Sequence, residues 1–284
     1  MPTILRSSNM SRLHAHTSRK PVLAGVCATA LLVTAAALVP GGSEAEAAAF
    51  APPPAHADFD YQIGGAYTPP TGVEVVSRDH TASPAAGLYN ICYVNAFQAQ
   101  PDAEDEWDDD LLLRDANGDI VYDTDWGEAF LDIRTADKRE RIAEKVGGWI
   151  DTCADKGFQA VEPDNYDSYT RAGDLLDAAD AQGLVKLLAE RAHAGGLAIG
   201  QKNTVELAGN RGANGLDFAV AEECGEWDEC GDYTAEFGDR VIVVEYTAKG
   251  LATACSEFGD TLSIVRRDLD VSPEGSSGYV RETC

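Results

Sequence analysis

The chain has 284 residues, with 48 aspartates and glutamates against 22 lysines and arginines, which gives a net charge of −26 at pH 7. A charge this negative argues against nucleic acids and anionic membrane surfaces as partners. The chain is long enough for one large domain with a sizeable hydrophobic core.

The first 48 residues have the composition of a secretory signal peptide. Basic side chains precede an apolar run over residues 22–39, and small residues suited to cleavage follow near Ala47–Ala49. A retained membrane anchor is the alternative, but the apolar run is short for a spanning helix. Removal of the segment takes away four basic and two acidic side chains and leaves a net charge of −28. We therefore expect a secreted, extracellular protein with no membrane attachment after processing.

A stretch rich in proline and alanine follows at residues 49–58, and its composition predicts a flexible tether. In residues 59–284, short apolar runs rich in β-formers recur. The nine runs are DYQIGG, VEVVSRD, LYNICYVN, AFLDIRT, FQAVEPDN, LAIGQKN, DFAVAEEC, VIVVEYT and LSIVRRD. Amphipathic stretches with helical spacing lie between several of them, notably over residues 136–157 and 174–196. This alternation predicts one α/β domain with a parallel sheet covered by helices.

Two architectures have this alternation, a (β/α)₈ TIM barrel and an open doubly wound sheet. The open sheet is disfavoured because no G-x-G-x-x-G sequence follows the first run. The barrel is favoured because polar residues end the apolar runs, and in a barrel all of those ends open onto the face that carries the chemistry. These residues are Arg78, Asp79, Asn95, Asp132, Asp164, Lys202, Glu222, Glu245 and Asp268. Since a barrel has eight strands, one of the nine runs must be an extra or edge strand.

Six cysteines remain after the signal peptide: Cys92, Cys153, Cys224, Cys230, Cys255 and Cys284. An even number in an exported chain predicts three disulfides that brace the domain, although 15 connectivities are possible. The simplest connectivity joins Cys224 to Cys230 and Cys255 to Cys284, which leaves Cys92 with Cys153. A zinc site does not fit the spacing, because the sequence has no C-x2-C pair or histidine–cysteine cluster.

The acidic segment 101–125 has the composition of a calcium loop but not its spacing. An EF-hand loop has glycine at its sixth position, whereas Gly118 is the fourth residue from Asp115. The sequence NGD between two apolar runs instead predicts a type I′ turn in a solvated hairpin. We expect neither a metal nor a cofactor.

No serine lies in a G-x-S-x-G motif, which argues against an α/β-hydrolase. Outside the signal peptide and the tether the histidines are His80 and His193, and His193 is expected to be a helix C-terminal cation, so carboxylates are the strongest candidates for acid–base chemistry. In VEPDN, Glu162 and Asp164 are two residues apart and so lie on the same side of an otherwise apolar strand. Ionised groups are costly to bury, so a strand that ends in two of them indicates a functional site. In AEEC, Glu222 and Glu223 lie on opposite faces, and strand parity does not say which one faces inward. Paired carboxylates at strand ends are the residues that glycoside hydrolysis requires.

Six sequence segments are recognisable as a set. They are DYQIGGAY, YNICYVNAFQAQP, FLDIRT, GFQAVEPDNYDSYTR, GLAIGQKNT and FAVAEECGEWDEC. Together they resemble glycoside hydrolase family 114 over nearly the whole of residues 59–284. The resemblance implies a (β/α)₈ barrel with endo-α-1,4-polygalactosaminidase activity. It implies Asp164 as the nucleophile and Glu222 as the general acid/base of a retaining mechanism, with Glu162 orienting or tuning Asp164.

The resemblance also implies a substrate class. The family's substrate is galactosaminogalactan, an α-1,4-linked polymer of galactose and N-acetylgalactosamine that is partly deacetylated and therefore cationic. A cationic or partly deacetylated amino-sugar polysaccharide would be attracted to this negative chain. The expected substrate-binding residues are Asp60, Gln62, Tyr93, Asp132, Glu162, Asn165, Lys202, Glu223, Glu245 and Tyr246. We expect the processed protein to be a monomer.

Two other functions stay open at this stage. One is a non-catalytic sugar-binding barrel that kept the groove and lost turnover, and the other is an α-glycosidase or glycan lyase of different linkage specificity. The stereochemistry also stays open. A retaining enzyme would place the carboxyl groups of Asp164 and Glu222 roughly 5–5.5 Å apart, and an inverting enzyme about 6.5–9.5 Å apart.

Overall fold

The structure is a computed structural model that describes residues 50–284, and the predicted signal peptide lies outside the described residues. The strands are β1 (Phe59–Gln62), β2 (Val75–Asp79), β3 (Tyr89–Asn95), β4 (Gln98–Ala99), β5 (Tyr122–Asp123), β6 (Glu128–Phe130), β7 (Ala160–Asp164), β8 (Ala198–Lys202), β9 (Phe218–Glu222), β10 (Val241–Glu245), β11 (Ser263–Arg267) and β12 (Arg281–Thr283). The helices are α1 (Ala136–Lys156), α2 (Ser168–Arg171), α3 (Ala178–Ala194), α4 (Arg211–Asn214), α5 (Cys224–Trp227), α6 (Cys230–Phe237) and α7 (Ala248–Phe258). No helix in residues 50–284 has the length and apolar character needed to cross a membrane.

Eight parallel strands form the barrel. They stand in the order β1-β2-β3-β7-β8-β9-β10-β11, and β12 pairs antiparallel with β11 as a ninth strand. Contacts between the two ends of the sheet nearly close it. Ala57 donates its backbone N–H to Ser263 Oγ at 2.9 Å, and Arg281 pairs with Asp58. The predicted (β/α)₈ TIM barrel is therefore confirmed.

One of the nine predicted strands, AFLDIRT, does not belong to the barrel. Its first residues lie in β6, which pairs antiparallel with β4 and β5 in a separate sheet, here called the side sheet. The side sheet occupies the long connection between β3 and α1. A short apolar run predicts a buried strand, but it does not predict which strand will pair with it, because the pattern depends only on which side chains are buried. This run is therefore the expected extra strand.

The turn in the segment 101–125 is not the predicted type I′ turn. Gly118 donates its N–H to the carbonyl oxygen of Asp115 at 3.1 Å, and Asp115 donates its own N–H to the carbonyl oxygen of Asp119 at 3.0 Å. Gly118 has a φ of +90°, whereas Asn117 does not have a positive φ. A type I′ turn needs positive φ at both central residues, so this loop is a type I turn followed by a left-handed glycine.

The two long helices confirm the two predicted helical segments. Helix α1 begins after Thr135, whose hydroxyl accepts a backbone N–H of the first turn, and it ends at the left-handed Gly157. Helix α3 begins at Ala178, later than the predicted residue 174. The reason is Asp177, whose carboxylate accepts two backbone N–H groups of the first turn and so caps the helix at that point.

The hydrophobic core has one part inside the barrel and another between the strands and the helices. Inside the barrel, Phe59, Tyr61 and Phe218 are fully buried. Gly200 on β8 makes room for Phe218, because a Cβ added at Gly200 would lie 2.8 Å from the phenylalanine ring. The interior is therefore a packed core and not a pore, which is typical of TIM barrels.

The described part of the predicted tether lies against the barrel. The ring of Phe50 stacks on His193 of α3 with the ring centroids 4.0 Å apart. The carbonyl oxygen of Ala51 accepts a hydrogen bond from the Tyr89 hydroxyl at 2.6 Å. Tyr89 is the first residue of β3. These contacts hold the segment at the N-terminal end of the strands, opposite the end predicted to carry the chemistry.

Three disulfides join Cys92 to Cys153, Cys224 to Cys230 and Cys255 to Cys284. This is the simplest of the predicted connectivities. The first disulfide ties β3 to α1, the second ties α5 to α6, and the third ties α7 to the last residue of the chain. The second lies directly after β9 and therefore braces the chain beside Glu222.

We expect the two disulfides whose cysteines are all buried, Cys92–Cys153 and Cys224–Cys230, to stabilise the fold unequally. Chain entropy predicts a loss of about 4 kcal/mol for the Cys92→Ala/Cys153→Ala variant and about 2 kcal/mol for the Cys224→Ala/Cys230→Ala variant, because their sequence separations are 61 and 6 residues. Denaturant titration measures both free energies of unfolding. All four cysteines are buried, so the two variants leave similar cavities and control for each other. A larger loss for the short loop would contradict this account.

Candidate active site

A cavity of about 840 Å³ opens at the C-terminal ends of the barrel strands. It is lined by the last residues of four strands, Asp79, Asn95, Asp164 and Glu222. The side sheet supplies one wall through Glu128 and through Trp126, whose side chain is 54% exposed. The cavity therefore lies on the face where TIM-barrel enzymes hold their catalytic residues.

Asp164, the last residue of β7, is held by two side chains. The Tyr93 hydroxyl donates to Oδ2 at 2.7 Å, and Lys202 Nζ donates to Oδ1 at 3.0 Å. Burial by itself would raise the pKa of Asp164, but the charge of Lys202 and the hydrogen bonds from Tyr93 and the Asn165 backbone lower it below its ordinary value. Asp164 is therefore an ionised carboxylate at the floor of the cavity.

Glu222, the last residue of β9, faces the same cavity two strands away. Its Oε2 accepts a hydrogen bond from Asn203 Nδ2 at 3.0 Å, and its Oε1 accepts one from the Tyr246 hydroxyl. The side-chain oxygen of Asn203 also accepts the backbone N–H of Glu222 at 2.9 Å. One asparagine thus fixes both the main chain and the carboxylate of Glu222.

Lys202, the last residue of β8, lies between these two carboxylates. Its side chain is only 2% exposed, and Nζ lies 3.0 Å from Asp164 Oδ1 and 3.2 Å from Glu222 Oε2. A third carboxylate, Glu162, lies one step deeper, with its Oε1 3.4 Å from Nζ. Burial would lower the pKa of Lys202, but the surrounding carboxylates raise it well above its ordinary value. Lys202 is therefore a permanent buried cation.

Glu162 and Asp164 lie on the same side of β7, as the two-residue period predicts. The Tyr61 and Ser77 hydroxyls each donate to Glu162 at 2.7 Å. Burial raises the pKa of Glu162, although Lys202 opposes the shift. Two hydroxyl donors and the ammonium group of Lys202 therefore compensate the buried carboxylate of Glu162.

The separation of Asp164 and Glu222 is bounded by their shared partner. Oδ1 of Asp164 and Oε2 of Glu222 can be no farther apart than the sum of their distances to Nζ, which are 3.0 Å and 3.2 Å. The two carboxylates therefore face each other across the ammonium group of Lys202.

Four of the predicted substrate-binding residues line the cavity: Tyr93, Asn165, Glu223 and Tyr246. Glu223 has a φ of +60°, so the chain turns away from the strand directly after Glu222. Burial, with the nearby charges of Glu222 and Glu226, raises the pKa of Glu223. Glu222 rather than Glu223 contacts Lys202, which answers the question that strand parity left open.

Asp60 and Gln62, predicted to bind substrate, do not line the cavity. Both are fully buried on β1 and contact each other, with Gln62 Nε2 donating to Asp60 Oδ2 at 2.8 Å. Asp60 also lies 3.3 Å from Arg281, and Gln62 accepts a hydrogen bond from Arg78 at 2.9 Å. Asp60 and Gln62 alternate with the interior residues Phe59 and Tyr61 along β1, so they point out of the barrel interior and compensate each other's polarity there.

Asp132 and Glu245, which are also predicted to bind substrate, do not line the cavity either. Asp132 follows the side sheet, not a barrel strand, and it pairs with Arg134 at 2.8 Å and Lys138 at 2.6 Å. Glu245 ends β10 but accepts the backbone N–H of Gly225 at 2.7 Å and lies outside the cavity. Glu245 lies near the sulfurs of Cys224 and Cys230. Both sulfurs are disulfide-bonded, so the group is not a metal site.

Several residues of the site escaped the sequence analysis, among them Asn203 and Glu128. Asn203 had a usable signal, because it follows Lys202 at the end of an apolar strand in the same way as the residues that were singled out. Glu128 had none, because it precedes the run AFLDIRT and the sequence does not show that this strand lies in the side sheet. Sequence periodicity does not report which separate elements meet at a cavity wall.

Comparisons with known proteins identify the family of the chain. The model of glycoside hydrolase family GH114 matches residues 41–284. The chain is similar to Ega3 of Aspergillus fumigatus, solved in complex with galactosamine, at 25% identity and a TM-score of 0.66 over 81% of this chain and 96% of that one. It is also similar to the glycoside hydrolase domain of PelA from Pseudomonas aeruginosa, at 16% identity and a TM-score of 0.52 over 78% and 97% of the two chains.

The second of these likenesses shows the fold alone, and a comparison with curated protein sequences gives no match. The family match is the stronger finding, because it extends over the whole barrel. It includes β7, β8 and β9, whose last residues carry the two facing carboxylates and the lysine between them. The chain belongs to glycoside hydrolase family 114 and is a glycoside hydrolase.

Proposed function

We propose that this protein is secreted and cleaves within chains of α-1,4-linked galactosamine and N-acetylgalactosamine with retention of configuration. The observation that carries the proposal is the pair of carboxylates, Asp164 and Glu222, held on either side of the buried ammonium of Lys202. The motif resemblance assigns the same two residues as nucleophile and general acid/base. The predicted signal peptide and the three disulfides support secretion.

The two carboxylates have different tasks in the proposed reaction. Asp164 attacks the anomeric carbon while Glu222 gives its proton to the glycosidic oxygen, so that the glycosidic bond breaks and a sugar ester of Asp164 forms. Glu222 then takes a proton from water, and the water oxygen displaces Asp164 from the anomeric carbon. Lys202 supports both halves, because it holds Asp164 ionised before attack and pairs with Glu222 once that proton has left.

The charge of the cavity supports a cationic substrate. Among the described residues, its lining contains eight carboxylates, Asp79, Glu106, Glu128, Asp164, Asp167, Glu222, Glu223 and Asp270, against one arginine, Arg171. His80 also lines it, but burial lowers the pKa of that imidazole. A cavity with this excess of negative charge raises the local concentration of cationic ligands. The similar protein Ega3 was solved with galactosamine, an amino sugar, which supports the same class.

We expect Asp164→Asn and Glu222→Gln each to lower kcat/KM by at least ~10³-fold, because each removes an interaction made chiefly in the transition state. The assay is reducing-end release from partly deacetylated α-1,4-galactosamine polymer. Glu223→Gln is the matched control, since Glu223 lines the same cavity without contacting Lys202, and it should keep most of the activity.

Two results would contradict these assignments. An active Glu222→Gln variant combined with an inactive Glu223→Gln variant would move the general acid to Glu223. Tight binding of the polymer by the wild-type protein with no new reducing ends would identify a sugar-binding barrel in place of an enzyme. Near-ultraviolet circular dichroism of each variant shows whether the fold is kept.

We expect Lys202→Met to move the acidic limb of the kcat/KM profile to higher pH by about one pH unit or more. The pKa of Asp164 is lowered chiefly by Lys202 against the effect of burial, so removal of the cation raises that pKa and the nucleophile ionises later. Tyr93→Phe removes one hydrogen bond from Asp164 and should move the limb in the same direction by less. An acidic limb that stays in place in both variants would show that Asp164 does not govern it.

A further inference from the structure

Glu128 is a buried carboxylate in the wall of the cavity that has no cationic partner among the described residues. It lies on β6 of the side sheet, is 9% exposed and lines the cavity. Its Oε2 accepts hydrogen bonds from Asn95 Nδ2 at 2.8 Å and from Asn165 Nδ2 at 3.1 Å. Within residues 50–284, no lysine, arginine or histidine forms a salt bridge with it. Its other oxygen, Oε1, is not among the buried atoms that lack a partner.

Three other carboxylates that line the cavity differ from Glu128, because each of them has a cationic partner. Asp164 and Glu222 share Lys202, and Asp167 pairs with Arg171 at 2.6 Å. Burial raises the pKa of Glu128 to about 7, the two asparagine hydrogen bonds oppose the shift, and the charges of Asp164 and Asp123 add to it. A nearly buried carboxylate with amide partners alone is stabilised by any cation that enters beside it.

Glu128 lies next to the proposed nucleophile. Asn95, one of its partners, is the register neighbour of Asp164 across the β3–β7 pair, and its other partner, Asn165, directly follows Asp164. The Glu128 carboxylate is therefore held by two residues that flank Asp164, and the charge of Asp164 acts on it. In a 2-amino sugar the nitrogen is attached to the carbon adjacent to the anomeric one. The amino group is therefore the nearest cation that a bound substrate brings to this wall.

The geometry points to Glu128 as a specificity-determining residue that binds the free 2-ammonium group of a galactosamine unit and selects it over an N-acetylated unit. This inference rests on the proposed function, since it concerns the sugar bound at Asp164. An acetamido group carries no charge for the carboxylate to pair with. It also brings an acetyl group against a wall whose amides are already committed to Glu128 and to each other, with Asn165 Nδ2 3.0 Å from Asn95 Oδ1.

The test compares oligomers of one length that are either fully deacetylated or fully N-acetylated. Glu128→Gln should lower kcat/KM on the deacetylated oligomer about 10- to 100-fold, the value of a hydrogen bond to a charged group, and leave the acetylated oligomer unchanged or faster. The measured quantity is the ratio of the two kcat/KM values. If only one oligomer is cleaved, the ratio of the inhibition constants of galactosamine and N-acetylgalactosamine takes its place.

Glu106→Gln is the matched control, because Glu106 lines the same cavity from an exposed position and its loss removes the same charge. It should change the ratio less than about threefold. Glu128→Ala is a second variant, and it must shift the ratio in the same direction as Glu128→Gln. An equal loss on both oligomers would overturn the inference, because it would show that Glu128 only positions Asn165. A wild-type protein that cleaves neither oligomer would instead overturn the proposed function.

Discussion

The site depends on a buried ammonium group that holds three carboxylates together. Lys202 is almost fully enclosed, and without it Glu162, Asp164 and Glu222 would place uncompensated negative charge at the top of the barrel. The partners of the carboxylates complete the arrangement, since hydroxyl and amide donors occupy most of their remaining oxygens. The two carboxylates that are proposed to react are thus held in place by the protein itself, which is the condition for electrostatic catalysis.

The barrel makes this arrangement possible through the positions of three neighbouring strands. Strands β7, β8 and β9 end in Asp164, Lys202 and Glu222, and parallel strands in adjacent positions present their last residues side by side. Below them the interior is tightly packed, with Phe218 against Gly200, so the charged group rests on an apolar floor. Low polarity beneath the group strengthens each of its electrostatic interactions.

The side sheet gives this barrel a wall that the eight strands do not supply. It brings Glu128 and Trp126 to the cavity from a connection between β3 and α1. An inserted segment of this kind changes which ligand is bound without moving the residues that carry out the reaction. The side sheet supplies the negative charge of Glu128 to the cavity wall, whereas the barrel strands supply Asp164 and Glu222 at the floor.

The sequence by itself determined the parallel α/β barrel, the two long helices, the number of disulfides and the strand ends that carry Asp164, Lys202 and Glu222. Each of these follows from local periodicity, from the order of elements or from the number of cysteines. Only the tertiary structure decided that AFLDIRT lies in the side sheet and that Glu128 reaches the cavity. It also decided that four predicted site residues bind other protein groups and do not line the cavity, namely Asp60, Gln62, Asp132 and Glu245. The reason is physical: a strand pattern records which side chains are buried, whereas the partner of a buried polar group depends on residues distant in the chain.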